Sequence, residues 1–76
     1  MNGELYKTTD IILAACLRLN GCDMISIEKE GSKGTFVFAN VDLEFVDDFD
    51  LGKVEVEPVT FNNMIKQLTT SVRRMQ

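Results

Sequence analysis

The chain has no histidine, one proline, two cysteines and no long apolar run, and each shortage closes off a class of function. Without histidine the usual general base is missing, and a zinc site would need carboxylates and two thiols, an improbable donor set. Cys16 and Cys22 are too few for a disulfide framework and are not spaced as a redox pair, so both are expected to be reduced structural thiols. A single proline and a hydrophobic fraction of 45% argue against disorder. The longest apolar run, Ile11 to Leu17, is far short of the roughly 20 residues that cross a bilayer. Met1-Asn2-Gly3-Glu4 lacks the basic start of a secretory leader. No glycine-rich phosphate loop lies between a strand and a helix. The expectation is a protein without catalysis, cofactor, metal or membrane, working in the cytoplasm.

What is present fits one domain spanning residues 1–76. A chain this short buries only about 60% of its unfolded surface, and small domains without staples often gain stability by oligomerising. The most informative stretch runs from Cys22 to Asn40. Two alternating runs flank Gly31-Ser32, the signal of a β-hairpin with a type II′ turn. Counting from that turn, Glu30 faces Lys33, Ile27 faces Phe36 and Ile25 faces Phe38. A slip of one residue would set Ser26 or Glu28 against the phenylalanines, so the pattern selects its own register.

Before the hairpin, Thr8 or Thr9 can cap a helix with Asp10 in its first turn, and Asn20-Gly21 stops it. Ile12, Ala15, Cys16 and Leu19 form its expected core face. Tyr6 is expected to pack over its start. Ile11, Leu13, Ala14 and Leu17 are apolar as well, and a helix apolar almost all round is normally buried on several sides. Either loops cover Leu13 and Leu17, or these residues form a homodimer or partner surface. The second reading is preferred.

After the hairpin, Asn40 can cap a short helix in which Val41, Phe45, Val46 and Phe49 share one sector. A strand competes, but aspartate is depleted in strands and four occur between Val41 and Asp50, so helix is favoured. Leu51-Gly52 breaks it. Lys53-Val54-Glu55-Val56-Glu57 alternates and predicts a third strand with Val54 and Val56 inward. Pro58 suits the first turn of a closing helix, in which Phe61, Met64, Ile65, Leu68, Val72 and Met75 make one apolar stripe. The expected order is α-β-β-(α)-β-α, an α+β domain whose three-stranded sheet is built on a β-hairpin and packed by two amphipathic helices.

The net charge of −4 is unevenly spread. Residues 42–57 carry a net −6, whereas residues 58–76 carry +3 from Lys66, Arg73 and Arg74. Asp47, Asp48 and Asp50 near Gly52 resemble the start of a calcium loop. The twelfth position from Asp48, however, is Val59 and not a bidentate glutamate, so the pattern fails. Those three aspartates are instead candidates for binding a basic partner or imitating a phosphate backbone. Asn62, Lys66 and Arg73 lie at helical spacing with Thr69 and could touch phosphates, although an acidic chain disfavours nucleic-acid binding.

Several fold-forming positions also carry a resemblance. They are Tyr6-Lys7-Thr8-Thr9-Asp10 leading into an Ala-Ala helix, Gly21 before a strand, Phe36-Val37-Phe38, and Val56-Glu57-Pro58 opening a helix with Phe61. Over nearly the whole chain the sequence resembles a small family of uncharacterised bacterial and phage proteins classed as a domain of unknown function. The resemblance implies the same α+β architecture and a mobile-element origin, and it transfers no site residues. The reading is therefore a protein–protein interaction module, self-associating through Leu13 and Leu17 or meeting a basic partner through Asp47, Asp48 and Asp50. The alternatives are a nucleic-acid accessory protein and an acidic inhibitor that mimics nucleic acid.

Overall fold

Leu17 and the residues around it lie at the centre of the molecule. The computed structural model describes residues 5–75, so the reading of Met1–Glu4 lies outside the described residues. The order is β1 (Leu5–Thr8), α1 (Ile11–Leu19), β2 (Asp23–Glu30), β3 (Lys33–Ala39), α2 (Leu43–Asp50) and α3 (Pro58–Arg74). The sheet is antiparallel in the order β1-β3-β2. It is an α+β domain whose three-stranded sheet is built on the predicted hairpin and packed by helices.

The hairpin turn follows the glycine. Gly31 has φ +61° while Ser32 is not among the positive-φ residues, the φ signature of a type II′ turn. Glu30 then pairs with Lys33 and Ile27 with Phe36, as the alternation requires. Side chains on paired positions share a face, so Thr8, Phe36 and Ile27 form one inward layer and Tyr6, Phe38 and Met24 the next. Phe36 and Phe38 are fully buried there beneath the helices. Val37 points the other way and is also buried. Across that outer face Lys7 of β1 reaches Glu28 of β2 at 3.6 Å, laying both apolar stems over the central strand.

Ile25 does not face Phe38. A bulge between Met24 and Ser26 drops Ile25 from the ladder, leaves it 56% exposed and sets Met24 opposite Phe38. The reason lies at the start of the strand. An unbroken alternation with Ile25 inward would also turn Asp23 inward, burying a carboxylate without a partner. With the bulge, Cys22 packs against the core and Asp23 stays exposed, where it accepts a hydrogen bond from Asn40 Nδ2 at 3.0 Å.

The third strand comes from β1, not from Lys53–Glu57, which forms no regular element. With β1 on one side of β3 and β2 on the other, the central strand has no free edge. Val54, Glu55 and Val56 instead border a small cavity of about 100 Å³ beside Cys16 and Leu19 of α1 and Phe45 of α2. Val54 is half-buried but Val56 is exposed.

The cap of α1 is Asp10, whose Oδ1 accepts from the amides of Ile12 and Leu13 at 2.9 and 3.3 Å. Thr8 Oγ1 in turn accepts from the Asp10 amide. Every residue from Leu13 to Leu17 is buried, whereas Ile12, expected on the core face, is half exposed. Leu13 and Leu17, expected at a self-association surface, are 5% and 0% exposed within one chain. A single copy thus surrounds the helix, and neither leucine offers a surface. α3 packs along one flank of α1, and the Phe36–Phe38 layers and Val46 of α2 close the same cluster. The segment read as helix from Val41 to Asp50 is helical over Leu43–Asp50, with Asp42 rather than Asn40 as its cap and Val41 outside the helix.

Pro58 begins α3 with Glu57 as N-cap, and Leu68 is the fully buried member of the apolar stripe. Near the other end of α3, Val72 rests on Gly34, where a Cβ would stand 2.8 Å from Val72 Cγ2. Lys29 Nζ donates to the Met75 carbonyl at 2.7 Å and ties the hairpin to the same end.

Three predictions follow from this packing. Gly34→Ala should destabilise by about 1–3 kcal/mol through overpacking. The same change should cost measurably less in a Val72→Ala background, because the two sites share one contact; urea unfolding of the four proteins checks it. Leu17→Asp should unfold the chain rather than yield a folded monomer, and far-ultraviolet circular dichroism decides between the two. Finally, the carboxyl of Glu57 is held below its usual range by the amide of Thr60, then by the Thr60 hydroxyl and the Val59 amide. A lowered folded-state pKa gives stability that is present above the unfolded carboxylate value, about 4.3, and lost as pH falls through the folded one. Glu57→Gln should therefore reduce the difference in urea midpoint between about pH 6 and about pH 3.

Candidate functional site

Three carboxylates that might carry function are instead engaged in capping. Asp10, Asp42 and Glu57 cap α1, α2 and α3, each accepting from amides of its own first turn. Setting Asp42 and Glu57 aside leaves Glu44, Asp47, Asp48, Asp50 and Glu55 as the uncommitted carboxylates of the acidic segment. All five are exposed, and among the described residues none of them makes an ion pair.

Four of them are on α2, an element of eight residues. Its inward side holds the buried Val46 and the half-buried Phe45 and Phe49. At 3.6 residues per turn, Leu43, Asp47 and Leu51 then line up on the outward side, with Glu44 and Asp48 beside them. Leu43 and Leu51 are 62% and 67% exposed. Asp47, Asp48 and Asp50 all fall in the last turn, and no basic residue is there. That is the end at which the helix dipole disfavours anions, by about 0.3–1 kcal/mol for each exposed charge. The arrangement opposes the stability of the free chain.

Lys33, Arg73 and Arg74 gather at the opposite end of the sheet. The Val72–Gly34 contact brings the last turns of α3 to the hairpin tip, while α2 follows the far end of β3. Lys66, Gln67, Thr70, Ser71 and Arg74 line a shallow exposed depression on α3. Arg73 and Thr69 face a different cleft, shared with Ser32 and Lys33 of the hairpin. Asn62 and Arg73 are about 16 Å apart along the helix axis. The proposed nucleic-acid stripe of Asn62, Lys66 and Arg73 is thus one helix flank that opens onto two separate concavities, and Asn62 lines neither. Sequence reading had no access to the pairing of Arg73 with Lys33, because only the tertiary contact through Gly34 creates it.

Burial pushes the Cys16 thiol above its ordinary pKa, with the Asp10 charge adding to the effect. Burial does the same to Cys22 and outweighs stabilising hydrogen bonds from the Asp42 backbone and Asn20. Both therefore stay protonated at neutral pH, which disfavours either as a nucleophile. Among the described residues, no three His, Cys, Asp or Glu side chains are grouped as a metal would require. No helix among them is long and apolar enough to cross a membrane.

No curated protein and no solved structure matches the chain. Residues 3–73 match a family described as Domain of unknown function (DUF5659). That match takes in every helix and strand up to the penultimate residue of α3, and on it the chain belongs to the DUF5659 family.

Proposed function

We propose that the chain is a protein-binding module without catalysis of its own, and that α2 is the element it presents to a basic partner. The observation that carries this reading is the last turn of α2. Asp47, Asp48 and Asp50 stand there against the helix dipole, with no basic residue in that turn and no ion pair among the described residues, flanked by the exposed Leu43 and Leu51. A surface that disfavours the free state and combines apolar contact with one sign of charge supports use in a complex. A lysine- or arginine-bearing partner would relieve the repulsion while covering both leucines.

The same face serves either a basic protein surface or a nucleic-acid groove that the carboxylates would occupy by imitation, as an accessory protein of a phage or mobile element could do. Both uses assume the cytoplasm, where Cys16 and Cys22 stay reduced. Self-association, if it occurs, uses exposed apolar residues other than Leu13 and Leu17.

The test joins stability to binding. Asp48→Asn with Asp50→Asn should raise the stability of the free protein by about 0.3–1 kcal/mol per site at low salt. The gain should largely vanish near 1 M salt, where the screening length is about 3 Å. In parallel, immobilised protein should retain a basic partner from bacterial lysate that the doubly substituted chain releases. Unchanged stability together with unchanged capture would remove α2 as the binding face.

A further inference from the structure

The helices pack on one face of the sheet. Residues of α1, α2 and α3 join Tyr6, Met24, Ile27, Phe36 and Phe38 in a single cluster. The residues that alternate with these on the strands, among them Leu5, Lys7, Ser26, Glu28, Val37 and Ala39, take no part in it. The Cα positions span 34 × 34 × 18 Å, a slab with depth for the sheet and one layer of helices about 10–12 Å across. Among the described residues, the outer face of the sheet therefore carries no second layer.

Two features mark that face as a contact surface. The first is apolar. Leu5 stands opposite Ala39 on β1, Ile25 is the residue set out of the ladder by the bulge in β2, and both are more than half exposed. The second is the sorting of charge. The lysines of the outer face are Lys7 on β1 and Lys33 on β3, whereas its β2 positions carry the acids Asp23, Glu28 and Glu30. Lys29 of β2 is turned to the helical side, where it donates to the Met75 carbonyl. Glu30 stands opposite Lys33, and Lys7 reaches Glu28 with both side chains more than half exposed. These charges are thus balanced within one chain. What distinguishes the face is their order, with a cation on one flank and anions on the other.

We propose that the outer face of the sheet is a self-association surface, meeting a second copy about a two-fold axis that runs along β3. A sheet face can meet its own copy with the axis across the strands or along them. An axis across the strands stacks β2 on β2 and sets Asp23, Glu28 and Glu30 against the same acids, which is repulsive. An axis along β3 lays β1 of each copy over β2 of the other. Lys7 then meets Glu28 of the second copy and Leu5 meets its Ile25, each contact occurring twice, as an isologous interface requires. The pair that Lys7 and Glu28 form within each chain becomes part of a network of four charges. Three strands and seven residues of β3 give a face of roughly 14 × 23 Å, small against the about 800 Å² per partner of a standard interface. The dimer is accordingly weak, with a dissociation constant on the order of 0.1–1 mM. None of these residues belongs to α2, so the surface stands or falls independently of the protein-binding reading.

The test is sedimentation equilibrium of the full chain at concentrations spanning that dissociation constant. The expected result is a molar mass that rises from one chain toward two. Lys7→Glu and Glu28→Lys should each, alone, weaken association about tenfold or more, because two pairs per dimer turn from attraction to repulsion, each worth a few-fold. An equimolar mixture of the two variants should associate about as well as the unsubstituted chain, since each reversed charge then faces its opposite in the other copy. Ile25→Ser should weaken the dimer about fivefold or more through lost apolar burial, whereas Asp47→Asn should leave it unchanged. Lys7 and Glu28 are exposed, so the mixing experiment remains decisive even if Ile25→Ser disturbs the bulge. A chain that stays monomeric throughout overturns the proposal. So does a dimer that survives either charge reversal alone, a mixture no tighter than its separate components, or a dimer lost on Asp47→Asn.

Discussion

A helix that is apolar on nearly every side must be covered by a chain of 76 residues, and the placement of the other elements follows from that demand. The three small residues Ala14, Ala15 and Cys16 at the middle of α1 let neighbouring elements approach closely, while Leu13 and Leu17 fill the spaces beside them. α3 takes one flank, the phenylalanine layers of the sheet and Val46 of α2 close the cluster, and the irregular Val54–Val56 stretch borders Cys16 and Leu19. Little chain is left over for other purposes. Hence α2, reduced to eight residues, is thin enough that one face packs inward while the other remains wholly at the surface.

The distribution of charge follows the same economy. Three acids sit where helix starts need them, at Asp10, Asp42 and Glu57, so part of the negative charge is structural. The remainder of the acidic segment is exposed and makes no ion pair among the described residues. At the other end Arg73 and Arg74 sit in the last turn of α3, where the dipole favours them, and Lys29 is tied to the Met75 carbonyl. The acidic end is thus electrostatically at odds with its own helix, whereas the basic end is in accord with it. This contrast separates the two surfaces more sharply than their net charges do.

Much of the fold was legible because its signals are local. Gly31-Ser32 set the hairpin register, Pro58 and the Phe61-to-Val72 stripe defined α3, and Asn20-Gly21 ended α1. The failures share one cause, which is that each depended on a partner distant in sequence. The register beyond Ser26 was decided by the need to keep Asp23 in contact with water and with Asn40. Residues 53–57 alternate as a strand does, but β1 had already taken the free edge of β3, and a strand of four residues gives too short a pattern to announce itself. Leu13 and Leu17 looked superficial because a helical wheel reports which residues are apolar and not what covers them. On the candidate sites, the aspartates of α2 were visible as a charge run. The cleft was not, since Lys33 and Arg73 are 40 positions apart and meet only through the contact of Val72 with Gly34.

The burial of α1 by α3 also bears on how the chain comes to be folded. The hairpin pairs near neighbours and can form early, but the flank of α1 that α3 covers waits for the last quarter of the polypeptide. Until those residues are synthesised, an apolar surface that the finished molecule never displays stands open to other chains. The interval between the emergence of Leu17 and the arrival of Leu68 is therefore the vulnerable stage of its biogenesis, when a chaperone would have most to hold.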